Sequence, residues 1–490
     1  MTGAVSDSTQ PTSREESEPG VELLVEDAII DGDRPVQRGG ARAAFAYPTF
    51  RRVYIGALLS NIGSWMQTVI LGAFIYHQTG SATYVALGTL TQLGPLLLLS
   101  IAGGAVADRF SRRTVLVVVS VEQLLFPLAI AALVTEHSPD MALLLACILA
   151  IGVGQAVYAP AYSALIPTLV DRKDMAGAIS LNSANMNLSR VIGPAIGGVL
   201  YAKVGASWVF VGNAVTYLFI IAALWGLQLP RAVVEEGESR LRRLLGGIHA
   251  ARRDRVVASC LGTMVLFSFF CLPVAVLMPV LAHANLGLDE DSVAYGMLYA
   301  AFGFGAVVGA LSIGTVLVGR DLAKLVRLGL VGYAVSLAAF ALVRQPGFAY
   351  PAAFLVGVCY FGTVTSLSTV LQQRLDDAVR GRVMALWIMA FGGTVPIGAI
   401  VAGPLSDLAG ITTVLLVGAG VAAVLAVFAG VVPVGRRRVD GAPAPPRPAR
   451  PITVAVTGPD RARGAGLRAD GVLGLGVVTV IVLVRQGCLG

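Results

Sequence analysis

Twelve long apolar segments, separated by short polar loops, fill the chain between residues 52 and 432. About 20 apolar residues suffice for a helix to cross the hydrocarbon core of a bilayer, and the segments lack the strict alternation typical of barrel strands. They run over 52–77, 82–107, 114–135, 140–163, 177–202, 206–228, 256–283, 292–318, 323–343, 347–371, 382–406 and 410–432. We call them segments 1 to 12, and they predict an all-α integral membrane protein with twelve transmembrane helices.

Composition excludes several classes of protein. Of 490 residues, 56% are hydrophobic and 13% are charged, whereas soluble domains are about 45–50% apolar and about 25% charged. The net charge of +7 fits membrane topology, so no nucleic-acid partner is expected. The five cysteines form no CxxC and the four histidines no HxxxH, so we expect no metal site and no cofactor. No GxxxxGK[ST] motif occurs, so ATP is not the expected energy source.

The basic loop residues lie almost entirely on one side of the predicted helices. Loops after odd-numbered segments hold only Lys203 and Arg344, while the loops after even-numbered segments are rich in arginine. Positive loops stay in the cytoplasm. The sequence therefore predicts a multi-pass protein of the bacterial inner membrane with both termini cytoplasmic.

The polar stretches divide the chain into five parts. Residues 1–44 are polar and acidic and predict a disordered cytoplasmic tail. A bundle of six helices over 45–228 is followed by a cytoplasmic linker over 229–255 and a second bundle over 256–432. Residues 433–490 begin with arginines and a proline-rich run, which predicts a mostly disordered cytoplasmic tail.

The two bundles repeat one another. Seven residues recur at a constant offset of 205 positions, which links Gly104 to Gly309, Gly152 to Gly357, Ser163 to Ser368, Asp171 to Asp376, Gly193 to Gly398, Gly198 to Gly403, and Gly205 to Gly410. Chance periodicity in a glycine-rich chain is the alternative. A duplicated unit predicts two pseudo-symmetric six-helix bundles with a binding site where they meet.

The loop between segments 2 and 3 reads GGAVADRFSRRTVL and concentrates glycine and charge. A carboxylate at the C-terminal end of a helix, such as that of Asp108, is disfavoured by the helix dipole, so it needs a partner. The partner is either a neighbouring arginine or the N-terminus of a helix from the other half, with segment 11 favoured. An ordinary basic loop that fixes topology is the alternative. The predicted conformational latch comprises Gly104, Asp108, Arg109, Arg112 and Arg113.

Segment 5 contains the sequence Gly193-Pro194-Ala195-Ile196-Gly197-Gly198. Proline bends a membrane helix, and glycines permit close approach of a neighbouring helix. The motif predicts a kinked helix that seals a leak path, with simple close packing as the alternative.

Two charged residues lie more than five residues from either end of a predicted span, and a charge at the centre of a span costs about 2.5–3.5 kcal/mol on insertion scales. Glu122 lies in segment 3 and Arg190 in segment 5. At 100° per residue, Asn182 and Asn185 share one face of segment 5 next to Arg190, which predicts a polar wedge on a wet cavity. Further candidates for lining that cavity are Asn61, Gln67, Gln92 and Gln155. Arg190 either binds an anionic substrate group or pairs with Glu122 as a coupling residue; structural contacts are the alternative for both.

Four stretches resemble the major facilitator superfamily. The loop 2–3 sequence GxxADRxxRR resembles its signature GxLADRxGRR, and GPxxGG resembles its segment 5 motif in exporters and antiporters, although Ser189 replaces an upstream glycine. The stretches starting FRRVYIGALLSNIG and RGRVMALWIMAFGG are similar to the bacterial exporter branch that includes enterobactin exporters and macrolide efflux proteins. The superfamily's arginine motif in segment 4 is absent, since that region reads CILAIGVGQAVYAP.

This resemblance implies a monomeric secondary transporter rather than an enzyme. It implies export of a small organic molecule (a drug, siderophore or secondary metabolite) by proton antiport with alternating access. A proton-coupled uptake symporter and a transport-inactive membrane sensor are the alternatives. A membrane enzyme is disfavoured because the sequence has no GxSxG or HxxxH motif.

Overall fold

The computed structural model describes residues 41–109, 111–136, 139–227, 248–249, 251–375 and 377–428. Within these ranges, the side chains of residues 97, 98, 100–109, 377, 378, 381, 385 and 428 lie outside the description. Residues 1–40, 228–247 and 429–490, which hold most of the predicted tails and linker, also lie outside it. The predicted domain boundaries therefore stay predictions.

Twelve helices follow one another along the described residues, one for each predicted segment. They are α1 Pro48–Thr79, α2 Ala82–Arg109, α3 Arg112–Leu133, α4 Met141–Leu165, α5 Met175–Val204, α6 Ala206–Leu224, α7 from Arg255, α8 Val293–Gly314, α9 Leu322–Leu342, α10 Pro346–Arg374, α11 from Asp377, and α12 Ile411–Phe428. Their ends agree with the predicted ends to within about five residues, the scatter expected of terminal assignments.

Two of the helices are interrupted. Helix α7 consists of Arg255–Cys271, Pro273–Val276 and Met278–Leu286, and its breaks fall at prolines, which cannot donate the helical hydrogen bond. Helix α11 consists of Asp377–Ile388, a π-helical turn Met389–Gly393, and Thr394–Ala409. Such π-helical turns are frequent at functional sites.

The outer surface of the bundle is apolar. Nine helices within the described residues are long and apolar enough to cross a membrane. Large apolar side chains such as Val118, Trp208 and Phe348 are more than half exposed. Apolar surface on this scale requires lipid rather than water as its neighbour, so the prediction of an all-α membrane protein is confirmed.

One part of the predicted N-terminal tail is ordered. Residues Ala41–Ala44 form a helical turn in which Ala44 is fully buried. The Tyr47 hydroxyl donates hydrogen bonds to Asp171 and Asp174, both 2.8 Å long, and the bonds to these carboxylates raise the pKa of Tyr47 to about 12. These contacts hold the end of the predicted tail against the loop that precedes α5.

The offset of 205 residues corresponds to equivalent helix crossings. A Cβ on Gly193 would lie 2.7 Å from the Ile62 carbonyl oxygen of α1, and one on Gly398 would meet the Phe269 carbonyl of α7 in the same way. Gly205 and Gly410, the C-caps of α5 and α11, both have positive φ angles, 89° and 83°, which glycine adopts without steric cost. The predicted pseudo-symmetry of the two bundles is therefore visible in their packing.

Two pairs of helices form the most extensive contacts between the halves, α5 with α8 and α2 with α11. We call the face on which α1 begins the basic face, because the arginine-rich loops lie there, and the opposite face the far face. The larger core cluster contains Ile70 of α1 together with Phe267 of α7 and Tyr295 of α8. The Tyr295 hydroxyl donates to the Val69 carbonyl oxygen at 3.4 Å, so these contacts bind the two halves together.

Candidate functional site

Helix α5 carries buried polar atoms for which the described part of the chain supplies no partner. Asn182 Oδ1, Asn185 Nδ2 and Arg190 Nε each lack a hydrogen bond within the described residues. Asn185 is fully buried. Since buried polar groups in folded proteins are nearly always paired with protein, water or ligand, this wedge is the strongest candidate for a binding surface in the described part of the chain.

Arg190 lies between two aromatic rings. Its guanidinium carbon is 5.1 Å from the ring centre of Trp65 in α1 and 4.8 Å from that of Phe361 in α10. Cation–π contacts of this kind are worth about 0.5–2 kcal/mol. They hold the guanidinium in place while leaving Nε without a hydrogen-bond partner among the described residues.

The site around Arg190 takes residues from both halves of the protein. Tyr299 of α8 and Tyr360 of α10 lie close enough to interact electrostatically with Arg190, and the Tyr360 hydroxyl is buried without a hydrogen-bond partner in the described structure. A Cβ on Gly303 of α8 would lie 2.6 Å from the Arg190 carbonyl oxygen. A site shared between two repeats near the middle of the membrane is typical of secondary transporters.

The predicted amide candidates divide into two groups. Asn61 Nδ2 donates to Asn185 Oδ1 at 3.1 Å, so Asn61 belongs to the wedge. Gln92 Nε2 donates to Thr68 Oγ1 at 3.1 Å, which joins α2 to α1. Gln155 is exposed and makes no hydrogen bond that the described residues reveal.

Gln67 forms a buried amide pair with a residue of α6. Its side-chain oxygen accepts a hydrogen bond of 2.6 Å from Asn213 Nδ2 of α6, and the residue is 3% exposed. Gln67 therefore joins α1 to α6 inside the first half, and its place on a cavity between the halves stays a prediction. The sequence does not reveal which helices are neighbours, so it did not reveal this amide pair.

Glu122 and Arg190 do not pair. Glu122 borders a groove of about 470 Å³ between α3 and α4, next to Gly154, and its Oε2 accepts a 3.0 Å hydrogen bond from Gln123 Nε2. No ion pair joins Arg190 to Glu122 among the described residues. The alternative of an Arg190–Glu122 pair is therefore wrong for this conformation.

A chain of polar side chains leads from Glu122 toward the centre of the protein. The Tyr217 hydroxyl of α6 donates to Gln123 Oε1 at 3.4 Å, and it lies 2.8 Å from the Ser64 hydroxyl of α1. Ser64 precedes Trp65, whose ring contacts Arg190. Glu122 is thus connected by neighbouring groups as far as Ser64 of α1, the residue before Trp65.

The predicted latch is described only in part. Arg112 Nη1 donates to the Ala164 carbonyl at the end of α4, and Arg113 Nε donates to the Leu224 carbonyl at the end of α6, both at 3.0 Å. Cations are favoured at helix C-termini, so these arginines join three helices of the first half. The side chains of Gly104, Asp108 and Arg109 lie outside the described residues, and a latch between the halves stays a prediction.

The GPxxGG motif of α5 faces two helices at once. Gly193 and Gly197 lie against α1, where an added Cβ would contact Met66. Gly198 lies against α8, where a Cβ would be 2.6 Å from Gly296 Cα, and the Pro194 carbonyl lies against the same glycine. The motif therefore closes the contact between α5 and α8 toward the far face.

An interaction between the halves that sequence reasoning missed is centred on Asp407, at the C-terminal end of α11. Its carboxylate accepts hydrogen bonds from the backbone amides of Ala82 and Thr83 at 2.7 and 3.0 Å, and from the hydroxyls of Ser81 and Thr83 at 2.8 and 2.6 Å. It thereby caps the N-terminus of α2. The signal was available in the sequence, because an acid at the C-terminal end of any helix needs a partner.

We expect Asp407→Asn to open the far face. A carboxylate at a helix N-terminus contributes about 0.3–2 kcal/mol, so its loss should raise the population open at the far face by a factor of several. Spin labels at Glu136→Cys and Gln345→Cys, one exposed far-face position in each half in a background without native cysteines, report the opening as a longer distance. We call these labels the far-face reporter pair.

Asp140→Asn is the matched control. Asp140 also caps a helix, accepting from the amides of Ala142 and Leu143, but both partners lie in the same half. It should lower stability without changing the distance. An unchanged distance in Asp407→Asn would contradict a clamp between the halves.

Comparisons with known proteins identify the family and relatives that this chain resembles. Residues 39–456 match a family described as transmembrane secretion effector. The staphyloferrin A transporter of Staphylococcus aureus is 24% identical over 365 residues, which cover 73% of this chain and 89% of that protein. The enterobactin exporter EntS of Escherichia coli O1:K1 is 29% identical over 357 residues, which cover 70% and 81%.

Solved structures show the same fold at low identity. The nucleoside transporter NupG superposes with a TM-score of 0.64 at 14% identity, over 77% of this chain and 97% of NupG. A bacterial homologue of the human lysosomal transporter Spinster, in an inward-facing and unoccupied conformation, has a TM-score of 0.63 at 15% identity, over 78% and 95%. The twelve-helix arrangement in two bundles is thereby confirmed.

Proposed function

Because the chain belongs to the transmembrane secretion effector family of major facilitator superfamily transporters, we propose that it exports a small organic molecule across the bacterial inner membrane by proton antiport. The predicted superfamily and exporter branch are confirmed by the same comparisons, and the family consists of transporters rather than enzymes. The transported molecule is a siderophore or a secondary metabolite of similar chemistry.

The unpartnered polar atoms on α5 carry this proposal. They include Arg190 Nε, whose guanidinium lies between two aromatic rings and belongs to neither an ion pair nor a buried network within the described residues. A substrate with an anionic group and an apolar or aromatic body satisfies both kinds of contact. Arg190 then holds the anion, and Trp65 and Phe361 hold the body.

The location of the contacts between the halves supports alternating access. The Asp407 clamp, the Tyr295–Val69 hydrogen bond and the Gly198–Gly296 crossing all lie toward the far face. With the basic face in the cytoplasm, this is a conformation that receives substrate from the cytoplasm. Opening of the far face then releases it outside.

Glu122 is our candidate for the coupling proton. Among the described residues it is the one carboxylate in the middle of a helix, and Gln123, Tyr217 and Ser64 connect it to α1 next to Trp65. Because an ionisable group in a membrane interior costs free energy, a carboxyl group there is a candidate for a functional role. Protonation there would change this hydrogen-bond chain and, through it, the packing of Trp65 against Arg190.

Direction and coupling are tested in inverted membrane vesicles loaded with an acidic interior. Metabolites that accumulate in a deletion strain supply the candidate substrates. We expect uptake into the vesicle lumen that collapses when the proton gradient is dissipated. Glu122→Gln should leave gradient-independent exchange but abolish accumulation. Accumulation in right-side-out vesicles instead would identify an uptake symporter, and no transport in either orientation would favour a sensor.

A further inference from the structure

A buried carboxylate lies between two histidines where the halves meet on the far face. The Glu290 side chain, in the loop between α7 and α8, is 4% exposed. His283 Nδ1 lies 2.8 Å from its Oε1, and His77 Nδ1 lies 3.5 Å from its Oε2. Each carboxylate oxygen therefore faces one imidazole.

This cluster bridges the two halves. His77 lies in the last turn of α1, whereas His283 and Glu290 belong to the second half. The ring of Tyr76 packs edge-on against His283, with ring centres 5.7 Å apart. Any opening of the far face must therefore separate His77 and Tyr76 from the other two residues.

The surroundings of the cluster are acidic or neutral. Tyr76 of α1, Tyr201 of α5 and Tyr295 of α8 lie close enough to interact with the Glu290 charge. Asp407 of α11 interacts with Tyr76, Asp291 interacts with Tyr201, and Asp289 is the chain neighbour of Glu290. The carboxylates of this neighbourhood therefore carry the charge opposite to that of an imidazolium.

We propose that His77, His283 and Glu290 form a second latch, distinct from the one predicted at Asp108. This histidine latch holds the far face closed and becomes stronger as the pH falls. Histidine is the residue type whose charge changes within the pH range that cells encounter. In the closed state each imidazolium lies against Glu290 in a charge-assisted contact. In the open state His77 loses that partner.

The sign of the pH dependence follows from linkage. The closed state stabilises the protonated imidazoles more than the open state does, so it binds protons more tightly. Lower pH at the far face therefore favours closure, and higher pH releases it. The latch controls the gate rather than substrate choice, and thus goes beyond the proposed function.

The far-face reporter pair tests this in lipid nanodiscs, where both faces experience the same pH and orientation does not matter. In the otherwise wild-type protein we expect the open fraction to fall several-fold as the pH is lowered from 8 to 5. The double variant His77→Gln/His283→Gln replaces both imidazoles with amides, which form hydrogen bonds but do not change charge with pH. Its open fraction should be independent of pH. His249→Gln, which changes an exposed histidine on the basic face, should behave as the wild type does.

A pH response that survives in the double variant, or that is lost equally in His249→Gln, would overturn the latch. So would a wild-type open fraction that does not change with pH. If the double variant is not recovered in folded form, the single variant His77→Gln should still weaken the response, because His77 is the member from the first half. Since the readout is a distance rather than transport, failure of this proposal is distinct from failure of proton-coupled export.

Discussion

Arg190→Gln is expected to abolish transport while leaving a folded protein in the membrane. Arg190 makes no ion pair within the described residues, so its removal leaves no buried carboxylate without a partner. What it loses is the cation between Trp65 and Phe361. Hydrogen bonds to charged groups contribute about 1.5–3 kcal/mol, so loss of an anion contact should lower substrate affinity by roughly 10- to 100-fold.

The measurement is substrate binding and vesicle uptake, alongside the yield and thermal stability of purified protein. Arg190→Lys should retain part of the binding, because a lysine keeps the charge but not the planar guanidinium that stacks on aromatic rings. Arg172→Gln, at an exposed position before α5, is the control and should transport normally. If Arg190→Gln is recovered only as unfolded protein, or transports normally, the binding role is contradicted.

The helices and their repeat were predictable because lipid imposes a simple rule on sequence. Each span must be long and apolar, so hydropathy alone located all twelve helices. The wedge on α5 was predictable for a related reason, since polar residues at helical spacing share a face. Spacing along the chain therefore places Asn182 and Asn185 on one face of α5 and Arg190 on the adjoining one.

The partners of those residues were not predictable, because sequence spacing does not specify which helices pack together. Trp65 and Phe361 contact Arg190 from opposite halves of the protein. Gln67 pairs with Asn213 in the first half. Both sets of contacts depend on tertiary packing, which cannot be predicted from the periodicity of a single helix.

The Asp407 clamp was missed for a different reason. Asp407 occupies the end of α11 that Asp108 occupies in α2, and the helix dipole disfavours a carboxylate at both ends. Asp108 belongs to a recognisable motif, whereas Asp407 does not. The helix dipole nevertheless disfavours both carboxylates, so the sequence could have predicted that Asp407 needs a partner. It could not have predicted that this partner is the N-terminus of α2.

The second large effect is expected at Gly198, where two helix backbones from different halves touch. A Cβ there would lie 2.6 Å from Gly296 Cα, and a backbone atom cannot rotate aside as a side chain can. Gly198→Val must push α5 and α8 apart. Overpacking of this kind costs about 1–3 kcal/mol and occasionally more, enough to shift a two-state equilibrium by roughly ten-fold or beyond.

We therefore expect Gly198→Val to lose the conformation closed at the far face, seen as a longer distance between the far-face reporter pair and as loss of accumulation in inverted vesicles. Gly198→Ala should show a weaker form of the same change. Gly420→Val is the matched control, because the position is exposed and a Cβ there meets no atom within 4 Å. Normal distance and transport in Gly198→Val would mean that the α5–α8 crossing can separate without opening the far face. The GPxxGG motif would then serve packing alone. If α5 and α8 can be forced apart at Gly198 without opening the far face, their contact is not what closes the far face.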